Sequence, residues 1–342
     1  MRHARRTTCF IVAILSGGDF SALAAVASPV VTLAQTKPLS KVRYNEVVRS
    51  LLYAPYYVAS TNGYFKDAGL DIELATGNAG DKTMAALLSG SADIALAGPE
   101  TTIYVINSDS STKARIFCGL TATDGFMLVG RTKPDKFEWS MLKGQDVLGF
   151  RPGSTPILFF EEAMRMNGVN PDTDVKLANN IAVPARVGAW LAGQGQYAIF
   201  IEPDASQLEL DGKGVVLASI GATVGFADYT SFMATDKYLS DNAAILQSFT
   251  DAIYRAQKWT ASASAADIAQ AVAPFFPAVN PQALTNAAAR YQKLKIWKLS
   301  PVIEPAAISK FEDILVNGHV LDANKRVKFE DLVRTEFASK AK

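Results

Sequence analysis

Asp93-Ile94-Ala95-Leu96-Ala97-Gly98-Pro99-Glu100-Thr101 is the stretch that decides the fold. Its first five residues make a short apolar strand, and Gly98-Pro99 ends it. Proline suits the first helical position because its fixed φ is already helical and the N–H it lacks would go unpaired there. A strand running straight into a helix is the repeating unit of an α/β fold. The flanking sequence follows the same grammar. Lys41 to Val48 reads as a strand, Pro55 as a helix start, and Gly63 and Gly69 as helix stops. Leu70 to Leu74 alternates apolar with acidic residues, as a half-exposed strand does. Asp81 is placed to cap a helix whose Met84, Leu87 and Leu88 share one face before Gly90. Arg115 to Leu120 and Phe126 to Gly130 read as two further strands.

From about Thr132 to Met233 the pattern repeats. Asp146 to Phe150, Val175 to Leu177, Tyr197 to Ile201 and Val215 to Ser219 read as strands. Arg151-Pro152-Gly153-Ser154-Thr155-Pro156 forms a turn into a helix that Gly168 stops, and Pro184 to Leu191 reads as another helix. After Asp241 only helical patterns remain, with Leu246, Phe249, Ile253 and Ala256 on one face. A tail without a sheet must bury its apolar stripes on an existing lobe, and the first lobe is the expected acceptor. The predicted organisation is therefore one lobe from 35–130 with 234–342 and a second from 131–233. Crossings are expected near Gly130 to Lys133 and near Tyr229 to Thr235, and two crossings make a hinge.

The 342 residues, 49% hydrophobic and 20% charged, supply ample core for two units. With 34 basic against 33 acidic residues, the chain lacks the cationic surface that nucleic acid requires. Residues 1–34 read as a cleavable export signal: Arg2, Arg5 and Arg6, a short apolar run from Cys9 to Leu15, then small residues before Gln35. That run is far shorter than the roughly 20 residues of a membrane span, so export to the periplasm is expected. Cys9 falls in the signal and Cys118 in an apolar run, where a buried, inert thiol is expected.

Enzyme motifs are missing. Past the signal there is one histidine, His319, so neither a His-based metal cluster nor a Ser-His relay can be built, and no metal or cofactor is expected. Gly77 to Thr83 resembles a phosphate loop only until Asp81, which stands where the motif needs glycine. What remains is a set of polar strand-to-helix turns, which gather at the carboxyl edge of α/β sheets, where ligands bind. The candidate ligand residues are Tyr53, Asn78, Asp81, Glu100, Thr101 and Asp124 from the first lobe. Arg151, Ser154, Thr155, Asn180, Glu202 and Tyr229 complete the set. Arg151 suits an anion, whereas Glu100, Asp124 and Glu202 suit a donor-rich, nitrogen-containing ring that Tyr53 or Tyr229 could stack on.

Ala54-Pro55-Tyr56-Tyr57-Val58-Ala59, Gly63-Tyr64-Phe65, Gly69-Leu70-Asp71-Ile72-Glu73 and Leu88-Ser89-Gly90-Ser91-Ala92-Asp93-Ile94-Ala95 resemble the SsuA/THI5 (NMT1/THI5-like) family. The likeness continues through Thr123-Asp124-Gly125, Phe150 to Thr155, Phe200 to Asp204 and Thr230 to Ala234. It implies a type II periplasmic-binding fold and the solute-binding role of an ABC importer, working with a permease and its ATPase, as a monomer. The family's ligands include nitrate, sulfonates, taurine, thiamine-precursor pyrimidines and riboflavin, so membership does not choose one. Its enzymatic branch, the THI5-like pyrimidine synthases, uses a cysteine-rich run and an active-site histidine, and this sequence has neither.

Overall fold

Two five-stranded mixed sheets organise the chain, and each contains one strand delivered from the other half. The computed structural model describes residues 38–342, so the export signal expected over 1–34 lies outside the described residues. The first half runs β1 (Ser40–Glu46), α1 (Ala54–Thr61), α2 (Tyr64–Asp67), β2 (Leu70–Thr76), α3 (Gly80–Leu88), β3 (Ile94–Ala97), α4 (Pro99–Ile106) and β4 (Ala114–Thr121). The second runs β5 (Met127–Gly130), β6 (Asp146–Leu148), α5 (Thr155–Met166), β7 (Lys176–Ala178), α6 (Arg186–Leu191), β8 (Tyr197–Phe200), α7 (Asp204–Leu210), β9 (Val215–Ser219) and α8 (Ile220–Val224). β10 (Thr230–Thr235) then returns to the first sheet. The tail follows as α9 (Asp236–Asp241), α10 (Ala243–Ser262), α11 (Ala265–Val272), α12 (Pro281–Lys293), α13 (Pro305–Asn317) and α14 (Phe329–Leu332).

Sheet order is β2-β1-β3-β10-β4 in the first lobe and β7-β6-β8-β5-β9 in the second. β1 pairs in parallel with β2 and β3, and β6 in parallel with β7 and β8. The antiparallel member of each sheet is the strand that has just crossed: β10 lies between β3 and β4, and β5 between β8 and β9. This moves the expected boundaries. Met127–Gly130 belongs to the second sheet and Thr230–Met233 to the first, so the crossings are residues 122–126 and 225–229. Both strands are buried except for the half-buried Thr235 at the end of β10, and a buried strand's own sequence does not reveal which sheet will complete its ladder.

The helical stripes behave as their periodicity predicts. Leu246, Phe249, Ile253 and Ala256 are all fully buried, and α10 packs on α1 and α2. The tail is not confined to the first lobe, however. α12 also packs on α7 and α13 on α5, so the helices clasp both lobes.

The crossings run side by side. Ala227 donates its N–H to Ala122 O (2.9 Å), Tyr229 to Thr121 O (3.1 Å), and the Thr123 hydroxyl donates to Gly225 O (2.6 Å). Tyr291 from α12 pins this ribbon from outside: its buried hydroxyl donates to Gly125 O (2.7 Å) and accepts from Glu202 N (3.1 Å). Tyr291→Phe leaves two buried backbone groups without partners. It is expected to lower unfolding stability by about 2–3 kcal/mol in urea titrations; an unaltered midpoint would show that the ribbon does not depend on it.

Candidate functional site

The polar turns read from the sequence do converge at the crossings, but only some of them. Glu100 begins α4, and the oxygens of its carboxylate and of the Thr155 hydroxyl, from the start of α5 in the other lobe, meet beside Gly98. A Cβ at position 98 would overlap both oxygens, so glycine is what lets the two helix starts face each other here. Asp124 sits in the first crossing and Tyr229 in the second. Tyr229 is close enough to Asp124 and Glu100 to feel their charges, with Tyr53 also nearby, and Phe159 of α5 packs edge-on against it at 4.9 Å.

Tyr53, Glu100, Asp124, Thr155 and Tyr229 thus form one buried cluster spanning both lobes. Within it, Glu100 Oε2, Asp124 Oδ2 and the Tyr229 hydroxyl lack a well-directed hydrogen bond, although Tyr229 is near enough to Asp124, and the Thr155 hydroxyl to Glu100, to interact with the carboxylates. Buried polar atoms are normally paired with good geometry, so the looseness here leaves hydrogen-bonding capacity for a further group. Asp124 Oδ1 is held by the Phe126 N–H, which fixes the carboxylate's direction.

Burial sets the electrostatics. Desolvation raises Glu100 to about 7, against the opposing pull of the Thr155 hydroxyl and the helix-start amides. Desolvation likewise raises Asp124 to about 7, with the Phe126 amide and Tyr229 hydroxyl opposing. Tyr229 and Tyr53 are pushed up by burial and by these carboxylates, so both stay neutral. Glu46, at the end of β1, is also raised to about 7 by burial, but it is fully engaged by Tyr57 Oη (2.7 Å), Thr76 Oγ1 (3.1 Å) and Arg49 (3.1 Å).

The other sequence candidates sit elsewhere. Arg151 and Asp81 bond to each other across the lobes, bidentately at 2.9 and 3.0 Å, and the guanidinium holds Asp81 below the usual carboxylate range. Asp81 does not cap α3; Ala79 occupies the N-cap, and Asp81 lies in the first turn. Ser154 Oγ donates to Arg151 O (2.6 Å) and Thr101 Oγ1 to Gly98 O (2.8 Å), so both brace their own turns. Asn78 and Asn180 are exposed. Glu202 is completely buried, but Arg290 and Ser206 take its oxygens, which makes it a tie between the second lobe and α12.

Two nearby residues escaped the sequence reading. Arg186 is buried over the Phe150 ring (3.8 Å), donating to the carbonyls of Gly149, Leu148 and Ile199, with its Nε unpaired. Asn179 Oδ1 is also buried without a partner, beside Gly149. Arg186 follows the Pro184 turn read as a helix start, but nothing local marks an arginine there as buried. Among the described residues, no three side chains are grouped as metal ligands, and no helix is long and apolar enough to cross a membrane. Cys118 is buried and its thiol pushed up by desolvation.

The sequence model of the NMT1-like family matches residues 47–273, which includes both crossings and every residue of the cluster. The chain belongs to the NMT1-like family. YtlA of Bacillus subtilis strain 168, named as a binding protein, is 37% identical over 306 residues, covering 90% of this chain and 91% of that one. Two solved structures share the fold. The alkanesulfonate-binding protein SsuA of Xanthomonas axonopodis pv. citri, bound to MOPS, aligns with a TM-score of 0.70 at 16% identity, over 88% of this chain and 100% of that chain. The periplasmic nitrate-binding protein NrtA of Synechocystis PCC 6803 aligns at 0.72 and 15% identity, over 87% of each. The architecture of this NMT1-like protein is thus the periplasmic-binding fold expected from the resemblance.

The raised carboxylates have a consequence for stability. The folded state keeps protons on Glu100 and Asp124 up to about pH 7, whereas the unfolded chain releases them near pH 4. Folding stability therefore falls as pH rises through that window, by an amount on the order of 3 kcal/mol per group. The ligand-free protein should melt higher at pH 5.5 than at pH 8, and Glu100→Gln or Asp124→Asn should raise the melting temperature at pH 8 and flatten the difference. Melting temperatures that rise from pH 5.5 to 8 in the unmodified protein, or fall in both variants at pH 8, would contradict the assignment.

Proposed function

We propose that this protein is the exported solute-binding component of an ABC importer, and that its solute is a small, polar, donor-rich molecule such as a nitrogen heterocycle of the pyrimidine or flavin type. The observation that carries the proposal is the loosely bonded trio, Glu100 Oε2, Asp124 Oδ2 and Tyr229 Oη, gathered where the two lobes meet. A ring with N–H donors satisfies the carboxylates, and Tyr53 and Tyr229 supply aromatic neighbours. The Glu100 carboxylate also occupies the meeting point of two helix starts, the place that would otherwise attract an anion.

Binding proceeds by closure. The solute enters between the lobes, bonds to groups of both, and favours the closed arrangement that the permease with its ATPase engages. The two crossings act as the hinge and the protein works as a monomer. No bond is broken, and mass spectrometry of incubated solutes should detect no turnover. Export to the periplasm is supported by the basic and small-residue pattern of residues 1–34.

A second reading, sulfonate, nitrate or taurine, is favoured by the fold shared with proteins named for binding alkanesulfonate and nitrate. It requires Glu100 and Asp124 to be protonated, which their values near 7 permit, with the unpaired Nε of Arg186 as the cation.

A thermal-shift screen of pyrimidines, flavins, sulfonates, nitrate and taurine at pH 6 and pH 8 separates the readings, since a ligand that binds only the folded form raises its melting temperature. A donor-rich heterocycle is expected to bind better at pH 8. An anion binding better at pH 6, with no heterocycle binding, would overturn the first reading in favour of the second. For the heterocycle found, Asp124→Asn should weaken binding at least tenfold. Asp81→Asn should change it less than threefold, because the Arg151–Asp81 pair is more than half exposed and such pairs contribute under about 1 kcal/mol. Equal losses in calorimetric titrations would place the decisive contact at the rim instead.

A further inference from the structure

Away from the lobe junction, a cavity of about 270 Å³ opens between the last turns of α10 and α12 and the segment that follows α12. Trp297, Tyr291, Ala261 and Leu299 give it a mostly apolar lining, and Leu299 at its rim is 72% exposed. Two polar groups interrupt the carbon. Gln257 and Thr260 both line the cavity and are each 1% exposed, yet Gln257 Oε1 and Thr260 Oγ1 have no hydrogen-bond partner. The Gln257 amide is oriented by its Nε2, which donates to Gly119 O at 3.0 Å, so its oxygen is the end left over.

We propose that this cavity is a second ligand site, taking a small neutral aromatic molecule with one hydrogen-bond donor, of the phenol or indole type. The donor requirement follows from the two orphans, since the Gln257 oxygen can only accept. Neutrality follows from two sides: Lys295 and Lys298 line the cavity and disfavour an ammonium, although Asp228 already pairs with Lys298, and the Gln257 oxygen, which can only accept, disfavours a carboxylate. The ring follows from the Trp297 and Tyr291 faces and from size: a buried cavity of about 150 Å³ can hold benzene, so this one has room for a bicyclic ring.

Occupancy would reach the lobe junction. The Tyr291 hydroxyl holds Gly125 O and Glu202 N, and Trp297 Nε1 donates to Leu52 O (3.1 Å) in the turn that carries Tyr53. A molecule wedged against both rings stiffens the crossing that bears Asp124.

The test is calorimetric titration of the full exported chain with indole, alongside tryptamine, which has the same ring with an ammonium. Saturable indole binding is expected, with tryptamine at least tenfold weaker. Thr260→Val, which keeps the volume and removes the hydroxyl, should weaken indole about fivefold to tenfold. Ala261→Trp, at the exposed rim, should abolish binding while leaving the circular dichroism spectrum unchanged. Amide exchange in residues 122–126 should slow when indole is bound. No indole binding up to its solubility means that water alone satisfies the two oxygens and overturns the proposal, as does undiminished binding in a folded Ala261→Trp. If that variant fails to fold, Thr260→Val decides, and an unchanged affinity there counts against the site.

Discussion

Everything distinctive about this molecule depends on the pairing of its two crossing segments. Residues 122–126 and 225–229 lie side by side, bonded Ala227 to Ala122 and Tyr229 to Thr121, and each feeds the strand that completes the opposite sheet. A strand inserted between two others must satisfy its ladder on both sides, and β5 and β10 do so within the sheet of the opposite half. The lobes are therefore tied by their own cores. Because the ribbon lies where the two halves meet, the residues within it, Asp124 and Tyr229, are fixed between them, beside Glu100 of α4 and Phe159 of α5.

That placement makes the electrostatics severe. Glu100 and Asp124 are raised by desolvation, with no cation bonded to either, whereas Glu46 and Glu202 are each met by an arginine. Buried carboxylates without a cation destabilise a fold, and their persistence beside the loosely bonded Tyr229 hydroxyl is what the proposed function accounts for by a ligand. The Arg151–Asp81 pair, by contrast, is largely exposed at both ends and worth little. On the proposed function, the interior of the junction and not its rim is what discriminates between solutes.

Much of this was legible in the sequence because local chemistry dictated it. Gly98-Pro99-Glu100 announced a strand entering a helix, and α4 begins at Pro99. Pro55 and Gly168 behaved likewise. The misplaced residues depended on distant partners. Asp81 suited a helix cap, but the helix begins one residue earlier with Ala79 at the N-cap, and an arginine 70 residues away engages the carboxylate; Glu202 suited a ligand contact until Arg290, 88 residues on, bonded it. Sheet membership of β5 and β10 was not legible either, because local sequence carries no mark of which half a strand will pair with and only pairing decides. Asn179 rather than Asn180 faces inward, a choice set by how the chain leaves β7. Arg186 gave no signal at all, since an arginine at a helix start looks like a surface residue until the Phe150 ring covers it.

On the proposed function, the partly protonated Glu100 and Asp124 carboxylates receive the solute. Titration calorimetry of the bound heterocycle at pH 7, repeated in buffers of different ionisation enthalpy, measures the protons exchanged on binding. Because Glu100 and Asp124 stand near their midpoints at that pH and a donor-rich ligand favours their charged forms, the account predicts net proton release. Proton uptake, or no exchange in any buffer, would contradict it.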